Sequence, residues 1–276
     1  MELASPKGCT PLIYAARGGY DELLSYLILI CKASALKQDS SGATLFHHTV
    51  EKGCINVLQA ILRIGQTELL SAMEIADNAG RTPLFEAVEN NASADLVRLL
   101  LTKKSKKASL AADGGFGVSA NVVSYNGQTP LFSAVREGNM ELVRVLVEFG
   151  GAEADLNGGE IIKEETDPVP DEDYESIEER NFMEAYKNCM TPLQLACILG
   201  NDDLALYLIE QAQANPNLQT NIKGFTCLHL AVLANKPELL MELLTRSNAS
   251  PNLPDYSGRT FMEMVELYLP SYLDTF

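Results

Sequence analysis

The sequence predicts an all-α protein built from a tandem repeat, and three observations predict it. Threonine recurs at positions 10, 44, 82, 129, 191, 226 and 260, each time leading a short apolar run. Nine residues after the first six of these stand Gly19, Gly53, Asn91, Gly138, Gly200 and Asn235, residue types that tolerate the left-handed conformation closing a helix. Two residues before all but one of the threonines stands a glycine, at 8, 42, 80, 127, 224 and 258, which marks a tight turn. A shared period of this kind decides the fold before any single element is assigned.

Within a unit each element has its own cause. The first helices read "CTPLIYAARGG" (9–19), "ATLFHHTVEKG" (43–53), "RTPLFEAVENN" (81–91), "QTPLFSAVREG" (128–138), "MTPLQLACILG" (190–200) and "FTCLHLAVLAN" (225–235), with a degenerate "RTFMEMV" from 259. Threonine offers its hydroxyl to the N–H groups of the first turn, and proline at the next position loses nothing, because its N–H would have been unpaired. After the glycine or asparagine stop comes a second apolar pattern, Leu23 and Leu24 then Leu27 and Ile28, repeated as Leu142 and Val143 then Leu146 and Val147. Two antiparallel helices therefore make one unit, and the glycine before the next threonine turns the chain into the following one.

This pattern resembles the ankyrin repeat, whose Thr-Pro-Leu-His-x-Ala signature is matched best at Thr226, Leu228, His229, Leu230 and Ala231. Leu45 and Cys227 replace the proline, Cys189 replaces the turn glycine, and the Thr260 unit lacks both the proline and the terminal glycine. The resemblance implies an ankyrin-repeat solenoid of helix-turn-helix units with β-hairpin fingers, a helical back and a concave groove. It also implies a single domain over 1–276, with repeats from about 6, 40, 78, 125, 187, 222 and 256. His47 and His229 occupy the signature position, where the imidazole ties adjacent turns by hydrogen bonds.

The threonine spacings, 34, 38, 47, 62, 35 and 34 residues, place the extra residues chiefly in the third and fourth units. A basic insertion at 102–117 carries four lysines and reads as a solvated loop. An acidic insertion at 158–187 holds most of the negative charge, since residues 153–187 alone have a net charge of −10. Its first half, with Pro168 and Pro170 among like charges, is expected to be disordered. Its second half reads as a helix presenting Tyr174, Ile177, Phe182 and Tyr186.

Composition excludes several functions. The net charge of −16 repels nucleic-acid phosphate, so no nucleic-acid partner is expected and a basic protein or peptide fits better. The longest apolar run, "LLSYLILIC" at 23–31, is too short to span a bilayer, so no membrane partner is expected. Six cysteines without CxxC spacing, mostly in apolar helical runs, read as reduced thiols of a cytoplasmic or nuclear monomer. No cofactor, metal site or catalytic site is expected. His48 stands on the solvent side, with no carboxylate or cysteine read at ligand spacing in its helix. Asp202 and Asp203 complement a helix dipole, Cys189 and Cys197 read as turn and core residues rather than nucleophiles, and no phosphate loop or nucleophile elbow is present.

Function is then a matter of which residues face the groove. At 100° per residue, offsets two, five, six and nine from threonine are buried and four, seven and eight face outwards. In the second to fourth units these outward positions are polar: His48, Glu51 and Lys52; Glu86, Glu89 and Asn90; Ser133, Arg136 and Glu137. In the fifth and sixth they are Leu195, Ile198 and Leu199, then Leu230, Leu233 and Ala234, joined at the turn by Met190 and Phe225. An exposed apolar stripe marks an interaction site. The predicted partner-binding residues are therefore Met190, Leu195, Ile198, Leu199, Phe225, Leu230 and Leu233. Arg81, Tyr125, Gln128 and Tyr256 on the fingers, with Arg136, complete them. The reading is a non-enzymatic adaptor or scaffold that binds a protein or peptide, mainly at repeats five and six. Two alternatives stand beside it: an autoregulated module whose acidic insertion masks the groove, and the targeting region of a larger channel, chromatin factor or bacterial effector, which would then act in a host cytosol.

Overall fold

The computed structural model describes residues 4–65, 67–102, 116–156, 190–221 and 223–275. Most of both insertions, and Cys189, lie outside the described residues. In chain order the helices are α1 (Pro11–Arg17), α2 (Asp21–Leu29), α3 (Leu45–Glu51), α4 (Ile55–Ile64), α5 (Thr67–Ala72), α6 (Pro83–Glu89), α7 (Ala94–Leu101), α8 (Pro130–Arg136), α9 (Met140–Gly150), α10 (Pro192–Leu199), α11 (Asp202–Glu210), α12 (Cys227–Leu233), α13 (Pro237–Arg246) and α14 (Phe261–Tyr268). A 3₁₀ turn, Pro270–Thr275, follows. The architecture is an all-α repeat solenoid.

Every threonine of the period opens a helix. Thr10, Thr82, Thr129 and Thr191 accept from the N–H three residues on, at 3.3, 3.4, 3.1 and 3.2 Å. In four units the residue at that third position also reaches back. The N–H groups of Thr44, Thr191, Thr226 and Thr260 donate to His47 Nδ1, Gln194 Oε1, His229 Nδ1 and Glu263 Oε2. The last unit, degenerate in sequence, is thus capped by a reciprocal pair in which Glu263 replaces the missing proline signal.

The chain divides into two compact units. The first comprises Met1–Tyr125, Thr129–Ala134 and Asn139–Ala152; the second comprises Asn126–Gln128, Val135–Gly138 and Glu153–Phe276. In the first, α1 packs on α3 and α3 on α6, while α2 backs α1 and α4, and α7 joins α6 to α9. In the second, α10 packs on α12 and α12 on α14, with α11 and α13 behind them. The core follows the period: Leu12, Phe46, Leu84, Leu131, Leu193 and Leu228, each two residues after its threonine, are exposed by 1% or less. Each such side chain contributes about 1.5–3 kcal/mol on burial. The longer second repeat, Thr44 to Thr82, is accommodated by α5, an element the repeat pattern does not contain; Leu69 and Ala72 on it and Met73 just after it are exposed by 2% or less.

The fingers are hairpin turns, and no strand is present among the described residues. Asp77 N–H donates to Arg81 O at 2.8 Å and Gly80 N–H donates to Asp77 O at 3.0 Å. The same pair recurs at Asp39 with Ala43 and at Asp255 with Arg259. Each turn is further held by its aspartate Oδ1, which accepts two backbone N–H groups at 2.8–3.0 Å. Successive fingers are joined by single backbone–backbone bonds, Ser40 N–H to Lys7 O, Asn78 N–H to Ser41 O and Tyr125 N–H to Ala79 O within the first unit, and Tyr256 N–H to Lys223 O within the second. Side-chain amides of Gln38, Asn78 and Gln219 add bonds to the neighbouring finger's carbonyls, but one backbone bond per finger pair is too few to make a ladder.

Two features of this framework carry measurable consequences. The stops are left-handed as the pattern requires, with φ of 68° at Gly138 and 62° at Gly200, and asparagine holds the same geometry at Asn91 and Asn235 with φ of 50° and 54°. A side chain on Gly138 would meet only Asn201 Nδ2, at 3.8 Å, so its cost there is backbone strain alone. The second feature is the buried imidazole pair. His47 Nε2 donates to Arg81 O at 2.9 Å and His229 Nε2 to Arg259 O at 3.1 Å, each linking its unit to the next finger. Nδ1 accepts in both cases, which requires the neutral ring, and burial lowers both pKa values from 6.5. Gln194 does the same work without a titratable group, donating to Leu218 O at 2.8 Å.

We expect Gly138→Val to destabilise by about 1–2 kcal/mol and Gly138→Asn by only a small part of that; equal urea midpoints for the two would refute the assignment of strain. For the imidazoles, the unfolded rings protonate near 6.5 while the folded ones stay neutral to lower pH. The unfolded state then binds more protons, so stability is complete above that value and falls as pH drops through the folded pKa values. The variant His47→Gln/His229→Gln should keep the caps and show a flatter stability profile between about pH 7 and 5. Parallel profiles for parent and variant would rule the mechanism out.

Candidate functional site

Helix phase places the outward residues. At offset seven and eight the first unit presents Glu51 with Lys52 and Glu89 with Asn90, and Lys52 Nζ pairs with Glu51 at 2.6 Å. Arg136 and Glu137 continue this pattern after Thr129, but in the last three repeats the same positions are apolar. Leu199 is 42% exposed and Ile198 is half-buried on α10, Leu233 and Ala234 are half-buried on α12, and Leu267 and Tyr268 on α14 are 63% and 43% exposed. Tyr272 and Leu273, on the 3₁₀ turn packed against α14, are 39% and 37% exposed.

Four of the predicted stripe residues are not on this face. Met190, Leu195, Phe225 and Leu230 are exposed by 2%, 2%, 3% and 0%. Leu195 and Leu230, at offset four, lie on first helices that pack on one another, and packing rather than helix phase buries them; in the first repeat the same offset is open, with Tyr14 51% exposed. Ser133 at 0% and Met264 at 1% show the same position buried in other repeats. Phe225, just before its cap, stacks on the His229 ring with centroids 5.9 Å apart. These four are core. Conversely, Leu267 and Tyr268 were missed, although the signal was present: they stand seven and eight residues after Thr260, in the unit whose lost proline and glycine hid it.

The finger residues have other surroundings. Tyr125 and Tyr256 are 68% and 63% exposed, and each ring lies across the glycine of the preceding finger, Gly80 and Gly224. Arg81 is engaged inside its own unit, forking onto Asp77 Oδ2 at 3.0 and 2.8 Å and reaching Glu89 at 2.8 Å and Glu86 at 3.2 Å. Burial works against its charge, but the bonds to Asp77 and Glu89 outweigh it and raise its pKa. Arg136 Nη1 donates to Gln128 Oε1 at 3.3 Å, and its Nε to Glu137.

Two clusters bear on chemistry. Cys197 and Cys227 are adjacent and fully buried, and their mutual hydrogen bond together with burial pushes the Cys227 thiol well above its ordinary value. That is the opposite of an activated nucleophile. The second cluster lies at an open depression of about 510 Å³ lined by His47, His48, Glu51, Asp77, Arg81 and Glu86. Here His48 is not the isolated solvent-side residue expected. Asp39 Oδ2 is 2.9 Å from its Nε2, and Glu51, three residues along the same helix, is 3.5 Å from its Nδ1. Cys9 also approaches Asp39 Oδ2, at 4.0 Å. No catalytic dyad results, because His48 Nε2 faces Asp39 and not the thiol.

Comparisons with known proteins agree with this geometry. The profile for three copies of the ankyrin repeat matches residues 174–255, and the single-repeat profile matches 7–40, 79–113 and 126–158. The mouse B-cell lymphoma 3 protein homolog is 35% identical over 109 residues, 40% of this chain and 20% of that protein. The human transient receptor potential cation channel subfamily A member 1 is 30% identical over 128 residues, 46% of this chain and 10% of that protein. The chain therefore matches about a fifth and a tenth of the length of these relatives. The crystal structure of the ankyrin repeat domain of Bcl-3, a member of the IkappaB protein family, superposes with a TM-score of 0.65 at 22% identity, covering 94% of each chain. With profile matches over more than half of its length and the threonine caps, left-handed stops and finger turns in place, the chain belongs to the ankyrin-repeat family.

Proposed function

We propose that the chain is a non-enzymatic binding module that takes a protein or peptide segment on the apolar face of its last three repeats. Ankyrin repeats are protein-interaction modules in general; what makes this face the working surface is one observation. Three successive first helices turn apolar pairs outward, Ile198 with Leu199, Leu233 with Ala234 and Leu267 with Tyr268, where the second to fourth repeats carry charged or amide side chains. Stacking does not require these side chains, and an exposed apolar patch rimmed by polar residues is the signature of a docking surface. The net charge of −16 selects a basic or neutral partner and would act mainly on the rate of encounter.

Peptides selected from a random display library against the full chain provide the probe. Leu199→Ser/Leu267→Ser should melt like the parent, since both side chains are exposed by 42% and 63%. The selected peptides should bind it about 30-fold more weakly, equivalent to about 2 kcal/mol. Removal of residues 159–185 should slow association of basic peptides and reduce its salt dependence without unfolding the repeats. Unchanged affinity for the double variant would move the site to the fingers around Tyr125 and Tyr256.

A further inference from the structure

The strongest unassigned feature is the meeting of Cys9, Asp39 and His48 in the first unit. Their donor atoms come from three segments, the arm of the first finger, the start of the second finger and the second turn of α3, and all lie within 4.8 Å of one another. Asp39 Oδ2 is 2.9 Å from His48 Nε2 and 4.0 Å from Cys9 Sγ. In a tetrahedral zinc site, with Zn–S of about 2.3 Å and Zn–N or Zn–O of about 2.0–2.2 Å, donor atoms stand roughly 3.3–3.6 Å apart. The two separations from Asp39 Oδ2 are each within about half an ångström of that range, and the third pair, Cys9 with His48, is within 4.8 Å. The donors are sheltered, with Cys9 exposed by 7% and the side chains of Asp39 and His48 by 8% and 13%.

Two further observations separate this cluster from an ordinary ion pair. The first is a comparison of fingers. At Asp77 and Asp255 the carboxylate Oδ2 is occupied by the guanidinium of Arg81 or Arg259, the residue just before the cap. In the second finger that residue is Ala43. Asp39 keeps the same turn bonds through Oδ1, to Ser41 and Ala43, but its Oδ2 meets an imidazole and a thiol where its counterparts meet a permanent cation. The second is the far side of the His48 ring. Its Nδ1 is buried without a hydrogen-bond partner, and Glu51 Oε2 stands 3.5 Å away, where a small approach would give the carboxylate–histidine pair that orients a metal-bound imidazole and raises its basicity.

We infer that Cys9, Asp39 and His48 form a binding site for a divalent zinc-like cation, with Glu51 as the positioning residue behind His48. One thiolate, one imidazole and one carboxylate suit a borderline cation such as Zn²⁺ or Co²⁺ better than Mg²⁺ or Ca²⁺. Binding displaces the Cys9 thiol proton to solvent, and the imidazole proton moves from Nε2, where it faces Asp39, to Nδ1, where it faces Glu51, so that the ion meets the lone pair of a neutral ring. Three protein donors leave the fourth position for water, on the side of the depression lined by Ser41, His48 and Glu51. The bound ion would supply at Asp39 the positive charge that Arg81 and Arg259 supply at theirs, and would clamp the first finger to the second and to α3.

Titration of the reduced full chain with Co²⁺ tests this. One equivalent should produce tetrahedral ligand-field bands and a thiolate-to-cobalt charge-transfer band, both removed by Zn²⁺. Cys9→Ser and His48→Gln should each abolish the charge-transfer band, while Cys31→Ser, at an exposed cysteine, should leave it intact. Glu51→Gln should weaken Zn²⁺ binding about 10–100-fold and keep the spectrum. Zn²⁺ should raise the melting temperature of the parent and of Cys31→Ser, but not that of His48→Gln. Absence of the band, or its survival in both Cys9→Ser and His48→Gln, would overturn the proposal. Should Cys9→Ser fail to fold, His48→Gln decides alone.

Discussion

The threonine cap is the bond on which the other features of each unit depend. By accepting an N–H of the first turn it fixes where the helix begins, and the start fixes the phase of every later residue. Where the third helical residue is His47, Gln194 or His229, the same cap extends outward to a carbonyl 24 to 34 residues away. One side chain then sets the beginning of a helix, the orientation of the adjoining turn and the seating of the next repeat. The left-handed stop nine residues on closes the helix at a defined length, so little freedom is left for which residues face outward.

Within this rigid frame, variation at a single place changes local chemistry. The residue preceding the cap is Cys9, Ala43, Arg81, Gln128, Met190, Phe225 or Arg259, and its identity selects the neighbour it meets. An arginine forks onto the finger aspartate four residues back. The aromatic Phe225 covers the capping imidazole. The small Ala43 leaves Asp39 to His48. The repeat thus holds backbone geometry constant and lets this position decide whether a finger is neutral, greasy or charge-paired.

Legibility in the sequence followed the range of the interactions. The threonine caps, the first-helix stops and the finger glycines are contacts within a few residues, and the spacing of Thr, Pro, Gly and Asn disclosed them, including the left-handed Asn91 and Asn235; the second-helix caps Ser93 and Asn139 and the finger aspartates were not read from it. Outward positions seven and eight were readable from helix phase, and Leu199 stands where phase put it. Phase on a lone helix could not separate offset four from them, because the burial of Leu195 and Leu230 comes from the neighbouring repeat. The extra helix Thr67–Ala72 was hidden by its lack of a period. Cys9, Asp39 and His48 were invisible as a group, since they are distant in sequence and meet only through the stacking of two fingers.

The exposed Leu267 and Tyr268 also have a colloidal consequence. A helix end that turns such side chains to water favours association with its own kind as well as with other surfaces, and the shared charge of −16 opposes it. That repulsion is long-ranged only at low ionic strength and vanishes near the isoelectric point of about 4.6. Under the function proposed above, solubility and recognition are therefore opposed uses of one surface, and acidity works for the first.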